Sequence, residues 1–103
     1  MLDLETIVME IIASSGEARS KIFEALGKAK ENKFDEAHKM IKDADSILLN
    51  AHENQTKLIA DELNGNKVDI NLMVIHSQDH LMSTLTTRDI IEEFISILEE
   101  CNK

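Results

Sequence analysis

The chain has 103 residues, with no proline, three glycines, 20 acidic against 11 basic side chains and a formal charge of −9. This length predicts one domain, and the composition favours helices over strands. The negative charge argues against a nucleic-acid partner, because phosphate backbones are bound by basic patches.

The chain start and the single cysteine bear on the cellular compartment. The acidic segment 1–5 lacks a signal-peptide pattern, and no run of about 18 apolar residues predicts insertion into a membrane. Cys101 cannot form an internal disulfide and is interpreted as an incidental terminal thiol. We therefore expect a cytoplasmic protein.

Apolar residues at helical spacing predict a first helix from about Leu4 to Lys30. Its stripe contains one polar member, Ser15, among Leu4, Ile7, Val8, Ile11, Ala18, Ile22, Ala25, Leu26 and Ala29. Residues 31–33 form a turn.

A heptad-like seam predicts a second helix from Phe34 or Asp35 to Leu63. The seam consists of Ala37, Ile41, Ala44, Leu48, Ala51, Gln55, Leu58 and Glu62. Gly65 is a natural C-terminal cap within the break at residues 64–67.

A third helix is predicted from Asp69 or Asn71 to Glu100, but its apolar arc changes side. The first arc is Val74, Ile75, Leu81, Met82 and Leu85, and the second is Ile90, Ile91, Phe94, Ile97 and Leu98. Either the helix breaks near residues 86–88, or a continuous helix buries different faces in its two halves.

Three long helices with short connections predict an all-α, up-down-up antiparallel three-helix bundle. A monomeric bundle gives each helix one buried stripe. The second apolar face of the third helix therefore favours an oligomer.

The hexapeptide HSQDHL at residues 76–81 concentrates chemistry-bearing side chains. On a helix, His76 lies one turn from both Asp79 and His80. Three interpretations stay open: a solvated polar face, a metal site, and a nucleophilic imidazole tuned by its neighbours. The metal site would need further ligands from His52, another chain or water. In a cyclic trimer, three Asp79 carboxylates could also converge on a divalent cation.

Other polar side chains have two interpretations each. Gln55 and His52 are either hydrogen-bonded residues of the bundle or part of the lining of the His76 site. Arg19 is a surface residue or a helper for an anionic group. His38 is expected to be a solvated surface imidazole.

The chain resembles the enzyme IIA component of the lactose/cellobiose family of the bacterial phosphotransferase system, essentially from end to end. The resemblance rests on GEARS at residues 16–20, on Ala51-His52 followed by Gln55-Thr56, and most specifically on HSQDHLM at residues 76–82. Ser77 stands where the family often has glycine.

The resemblance implies a single IIA domain over residues 1–103 that assembles as a homotrimer. It implies that His76 accepts a phosphoryl group from the phosphohistidine of the carrier protein HPr and passes it to a cysteine of the cognate enzyme IIB. His80 would support the site, and Asp79 would lie near the trimer axis and bind Mg²⁺ or another divalent cation.

The transported sugar would be a disaccharide of the cellobiose, lactose or chitobiose type, with cellobiose preferred. Ser83 and Thr87 share the His76 face and are candidate donors to the phosphoryl oxygens. The alternatives are a metal-binding bundle that uses His76, Asp79 and His80, and a purely structural bundle.

Overall fold

The computed structural model describes residues 3–103 as three helices, α1 (Leu4–Lys30), α2 (Phe34–Leu63) and α3 (Leu72–Cys101). Met1 and Leu2, the first residues of the segment that argues against a signal peptide, lie outside the described residues. No strand occurs in residues 3–103, which confirms the all-α prediction. The bundle is elongated, measuring 54 × 21 × 19 Å.

Local chemistry sets the helix ends close to the predicted positions. The carboxylate of Asp3 and the side-chain oxygen of Asn71 each accept a hydrogen bond from the backbone N–H three residues later, at 2.8 and 2.9 Å. In the two connections, Asn32 (φ 63°) and Gly65 (φ 88°) take the left-handed conformation that reverses a chain after a helix.

Polar side chains join the helices in an order that makes sequential neighbours antiparallel. The pairs are Asn54–Glu10 and Glu36–Lys28 between α1 and α2, and Gln55–Gln78, Asp45–Arg88 and His38–Glu99 between α2 and α3. In both sets the residue number rises on one helix as it falls on the other, so the predicted up-down-up order is confirmed.

The stripe of α1 is buried as predicted except at Leu4 and Leu26, which are partly buried against the core, and the seam of α2 differs at two positions. Asn54 is the buried polar residue of α2, whereas Gln55 is half-buried and Glu62 is exposed. Asn54 turns toward α1 and Gln55 toward α3, so the two residues border the seam from opposite sides. Glu62 is exposed because the end of α2 extends past the core, where Leu63 is 82% exposed.

Of the two alternatives for α3, the break near residues 86–88 is wrong, since the helix is continuous from Leu72 to Cys101. Its two halves also bury the same face, along a stripe of Val74, Ser77, Leu81, Thr84, Ile91 and Ile95. Polar residues occupy inward positions of this stripe because their hydrogen bonds are made within the protein. Thr84, for example, donates to the carbonyl of His80 at 2.8 Å.

This arrangement leaves a second apolar face on α3. Its outward face, which we define as Ile75, Asp79, Met82, Ile90 and Ile97, is exposed along the whole helix. The apolar members are each about half exposed, between 50% and 55%. An unpartnered apolar face of this length marks an interaction surface.

Two buried serines predict opposite effects on stability. The hydroxyl of Ser15 is fully buried and has no hydrogen-bond partner within residues 3–103. The equally buried hydroxyl of Ser77 donates to the Val74 carbonyl at 2.7 Å and accepts from Gln78 at 3.3 Å. We expect Ser15→Ala to raise the free energy of unfolding by about 1 kcal/mol and Ser77→Ala to lower it by about as much. Urea unfolding at one fixed protein concentration measures both, and a loss of stability in Ser15→Ala would contradict the first expectation.

Candidate functional site

Two imidazoles lie side by side near the start of α3. The ring centroids of His76 and His80 are 5.7 Å apart, and the ring planes are tilted by 37°. His76 is exposed and His80 is half-buried. Residues four apart are neighbours on one face of a helix, and His76 and His80 are therefore adjacent, as the sequence predicts.

A glycine of α1 forms the wall beside the second imidazole. A Cβ atom built on Gly16 would lie 3.8 Å from Nε2 of His80, which is ordinary van der Waals contact. Gly16 thus places the backbone of α1 next to the His80 ring, which is half-buried. The GEARS segment of α1 and the HSQDHL segment of α3, distant in sequence, therefore meet at the imidazole pair.

Asp79 does not join the imidazole pair. It is exposed and lies on the outward face of α3, between Ile75 and Met82, and in residues 3–103 it makes no hydrogen bond to His76. A single chain also gathers no set of three histidine, cysteine or acidic side chains around a common point within the described residues. The metal-binding alternative for one isolated chain is therefore not supported.

Gln55 and His52, the two α2 residues with two interpretations each, lie in different surroundings in the structure. The Gln55 side-chain amide donates to Oε1 of Gln78 at 2.6 Å and so reaches the helix that carries the imidazoles. His52 is exposed and lines a shallow cleft with Leu85 and Arg88, away from the imidazole pair. Only Gln55 thus touches the segment of the candidate site.

The remaining candidates have partners of their own. The guanidinium of Arg19 lies 5.6 Å from the ring centroid of Phe23, an exposed cation–π contact on α1. His38 is exposed, as expected, and is bonded to Glu99 at 2.6 Å. The Thr87 hydroxyl donates its proton to the carbonyl of Ser83 at 2.9 Å, so in this conformation it is not free to donate elsewhere.

Sequence reasoning missed Arg88, the centre of an ionic network between α2 and α3. It forms two parallel hydrogen bonds to the carboxylate of Asp45, at 2.7 and 2.8 Å, and it also pairs with Glu92. The hydrogen bond to Asp45 raises the pKa of Arg88 further above its ordinary value, despite partial burial, and the charges of both carboxylates add to the effect. The signal in the sequence is the inward spacing of Arg88, four residues after Thr84 and three before Ile91.

Fold and site together define a class: an acidic three-helix protein whose reactive candidate is an imidazole on an open helix surface. The family described as "PTS system, Lactose/Cellobiose specific IIA subunit" matches residues 6–99. The chain belongs to this family of the phosphotransferase system. The IIA proteins of this system relay phosphoryl groups and are counted among its phosphotransferases.

Three named relatives match this chain over nearly all of their length. The lactose-specific EIIA component of Staphylococcus epidermidis is 38% identical over 98 residues, covering 95% of this chain and 94% of that protein. The crystal structure of the cellobiose-specific enzyme IIA from Bacillus anthracis superposes with a TM-score of 0.92 at 38% identity, covering 99% of this chain and 94% of the other. The Escherichia coli chitobiose IIA protein, solved in complex with HPr, gives a TM-score of 0.87 at 36% identity and covers both chains fully.

None of the three helices is both long enough and apolar enough to cross a membrane within the part of the chain that the structure describes.

The ionic network predicts a difference between the two arginines of the chain. Arg88→Met removes a half-buried cation and leaves two carboxylates without their partner, so we expect the free energy of unfolding to fall by about 1–3 kcal/mol. Arg19→Met is the matched control, because its exposed contact with Phe23 contributes only about 0.5–1 kcal/mol. Thermal or urea unfolding compares them, and equal losses would contradict the assignment of Arg88 as a structural link.

Proposed function

We propose that His76 is the phosphoryl acceptor of this IIA component. It receives the group from the phosphohistidine of HPr and passes it to a cysteine of the cognate enzyme IIB, in the cytoplasmic phosphorylation chain of disaccharide uptake. The supporting observation is the exposed His76 ring with a second imidazole 5.7 Å away, in a chain of this family. That a related IIA protein was solved with HPr supports the choice of donor.

The chemistry needs an accessible nitrogen and no cavity. The neutral ring of His76 attacks the phosphorus through the lone pair of one nitrogen, and the other ring nitrogen keeps its proton. As the new N–P bond forms, the N–P bond of the donor breaks, and its electron pair returns to the donor imidazole. In the second step a cysteine thiolate of enzyme IIB displaces the His76 nitrogen in the same manner.

His80 is proposed as the supporting group. A protonated imidazole at this distance would offset the negative charge that the phosphoryl group brings to His76. The backbone of Gly16 lies beside the His80 ring, so α1 borders the proposed site at this point.

The sugar is proposed to be a disaccharide of the cellobiose, lactose or chitobiose type. Relatives named for each of these three sugars are about equally similar to this chain, at 36–38% identity. The relay exchanges phosphoryl groups with two proteins, so no sugar pocket is needed in this component.

We also propose that three copies pack their α3 helices together as a homotrimer. The outward face supports this, because Ile75, Met82, Ile90 and Ile97 leave an apolar seam exposed on one chain. Asp79 lies within this seam, so a threefold axis would bring three carboxylates together. Carboxylate oxygens are ligands that Mg²⁺ or another divalent cation accepts, and such an ion would offset their mutual repulsion.

Removing His76 should abolish transfer without unfolding the chain. We expect His76→Ala to take up no phosphoryl group from phosphoenolpyruvate, enzyme I and HPr, while the wild type gains one acid-labile group per chain by intact mass. His38→Ala is the matched control, since this exposed imidazole pairs with Glu99, about 35 Å along α3 from His76. Phosphorylation of folded His76→Ala would place the acceptor elsewhere.

The trimer predicts an unusual response to a charge-removing substitution. Asp79→Leu should keep or strengthen the trimer, because it replaces three converging carboxylates by apolar side chains. Ile75→Asp, one turn away on the same face, should weaken it. Sedimentation velocity over a dilution series reads both, and clean dissociation of Asp79→Leu to monomers would contradict the proposed position of Asp79.

A further inference from the structure

The helical turns that carry the two imidazoles have little apolar support from the core. The inward stripe of α3 runs from Val74 to Leu81 with a serine, Ser77, as its one fully buried residue in between. Clefts of about 350 and 310 Å³ flank Val74, one on the α1 side and one on the α2 side. Leu72, at the start of α3, is 80% exposed. Apolar packing by itself therefore leaves this end of α3 weakly held.

Where the apolar packing is interrupted, hydrogen bonds hold this part of α3. The Gln55 amide group of α2 donates to Gln78 at 2.6 Å and to the sulfur of Met82 at 3.7 Å, one helical turn further on. Gln78 in turn donates to the Ser77 hydroxyl at 3.3 Å, and Ser77 donates to the Val74 carbonyl at 2.7 Å. This chain of donors spans the segment from Val74 to Met82 on the side of α3 that faces α2.

We propose that Gln55 is a positioning residue for the His76 turn, an inference that rests on the proposed function of His76. Gln55 holds the α2 side of the segment, and the backbone of Gly16 lies beside the His80 ring on the α1 side. These neighbours limit rotation and sliding of the turn, so the backbone of His76 keeps one position on the bundle. Gln55 does not touch the reacting atoms and acts through Gln78.

Orientation matters because phosphoryl transfer requires the attacking nitrogen, the phosphorus and the leaving nitrogen to lie nearly in line. A displacement of about 1 Å at a reacting group can cost about 100-fold in rate. Loss of the Gln55–Gln78 hydrogen bond lets the first turns of α3 move into the adjoining clefts. The displacement changes the transfer step more than it changes the docking of HPr.

The test compares two variants that each break one polar link between α2 and α3. Gln55→Leu removes the link beside His76 and keeps a side chain of similar volume. Asp45→Asn weakens the Asp45–Arg88 link, about 18 Å further along α3. Circular dichroism first shows that each variant is folded. The rate of phosphoryl transfer from phospho-HPr is then measured in a single turnover, under the same conditions. We expect the transfer rate constant to fall about 10-fold or more in Gln55→Leu, with little change in the half-saturating HPr concentration, and to stay within about twofold in Asp45→Asn.

Two further readouts separate positioning from loosened packing. The imidazole ¹⁵N resonances of His76 should shift in Gln55→Leu, while those of His38, an α2 residue that pairs with Glu99 near the far end of α3, should not. The double variant Gln55→Leu/Gln78→Leu should be no slower than the slower single variant, because both substitutions break the same link.

Each outcome bears on the proposal. Wild-type rates in Gln55→Leu, equal slowing in Asp45→Asn, or failure of both Gln55→Leu and Gln78→Leu to fold would overturn the positioning role. Measuring the wild type in the same assay distinguishes failure of the positioning role from failure of the proposed function. If the wild type takes up a phosphoryl group and Gln55→Leu matches it, only the positioning inference fails, whereas no uptake by the wild type overturns the acceptor role of His76.

Discussion

The close packing of α1 against α2 through alanines is the constraint on which the rest of the structure depends. Six alanines at inward positions are 0–1% exposed: Ala18, Ala25, Ala29, Ala37, Ala44 and Ala51. Small side chains at these positions let the two helix axes come close together. Each alanine buries little surface, so stability has to be summed over long helices of 27 and 30 residues. The larger side chains around them, such as Ile11, Ile22 and Leu48, complete the core on which α3 packs.

The third helix is attached differently, and this difference shapes the candidate site. It packs less extensively on α2 than α1 does, and polar links, from Gln55–Gln78 to Asp45–Arg88, join the two helices. Hydrogen bonds and ion pairs have strict geometry, whereas apolar contacts tolerate sliding. Polar links therefore fix the height and rotation of α3, and with them the position of His76.

The same rotation decides what α3 exposes. With Ser77, Thr84 and Arg88 turned inward, the apolar outward face is left without a partner in a single chain, and the two imidazoles lie on the border between this face and α1. In the proposed relay both the donor and the acceptor of the phosphoryl group are proteins, so the nucleophile has to lie on an open surface. The exposed imidazole of His76 fits this need better than a side chain in a deep pocket would.

The sequence by itself determined the three helices, their ends, their antiparallel order and the pairing of His76 with His80. These features depend on local rules: helical periodicity, capping side chains, short connections and the spacing of one helical turn. Family resemblance added the chemistry, because nothing in periodicity or charge distinguishes a phosphoryl acceptor from a solvated histidine.

Only the tertiary structure decided which face of α3 is buried. The positions of apolar residues on the helical wheel predicted a break in α3 or a change of its buried face. This reasoning treats Ser77, Thr84 and Arg88 as outward residues. Their partners, the Val74 and His80 carbonyls and the Asp45 carboxylate, make inward polar positions favourable, and the carboxylate comes from another helix. For the same reason the roles of Gln55 and Asn54 could not be separated in sequence: they are adjacent residues that bond to different helices, and the difference is a matter of how three helices meet in space.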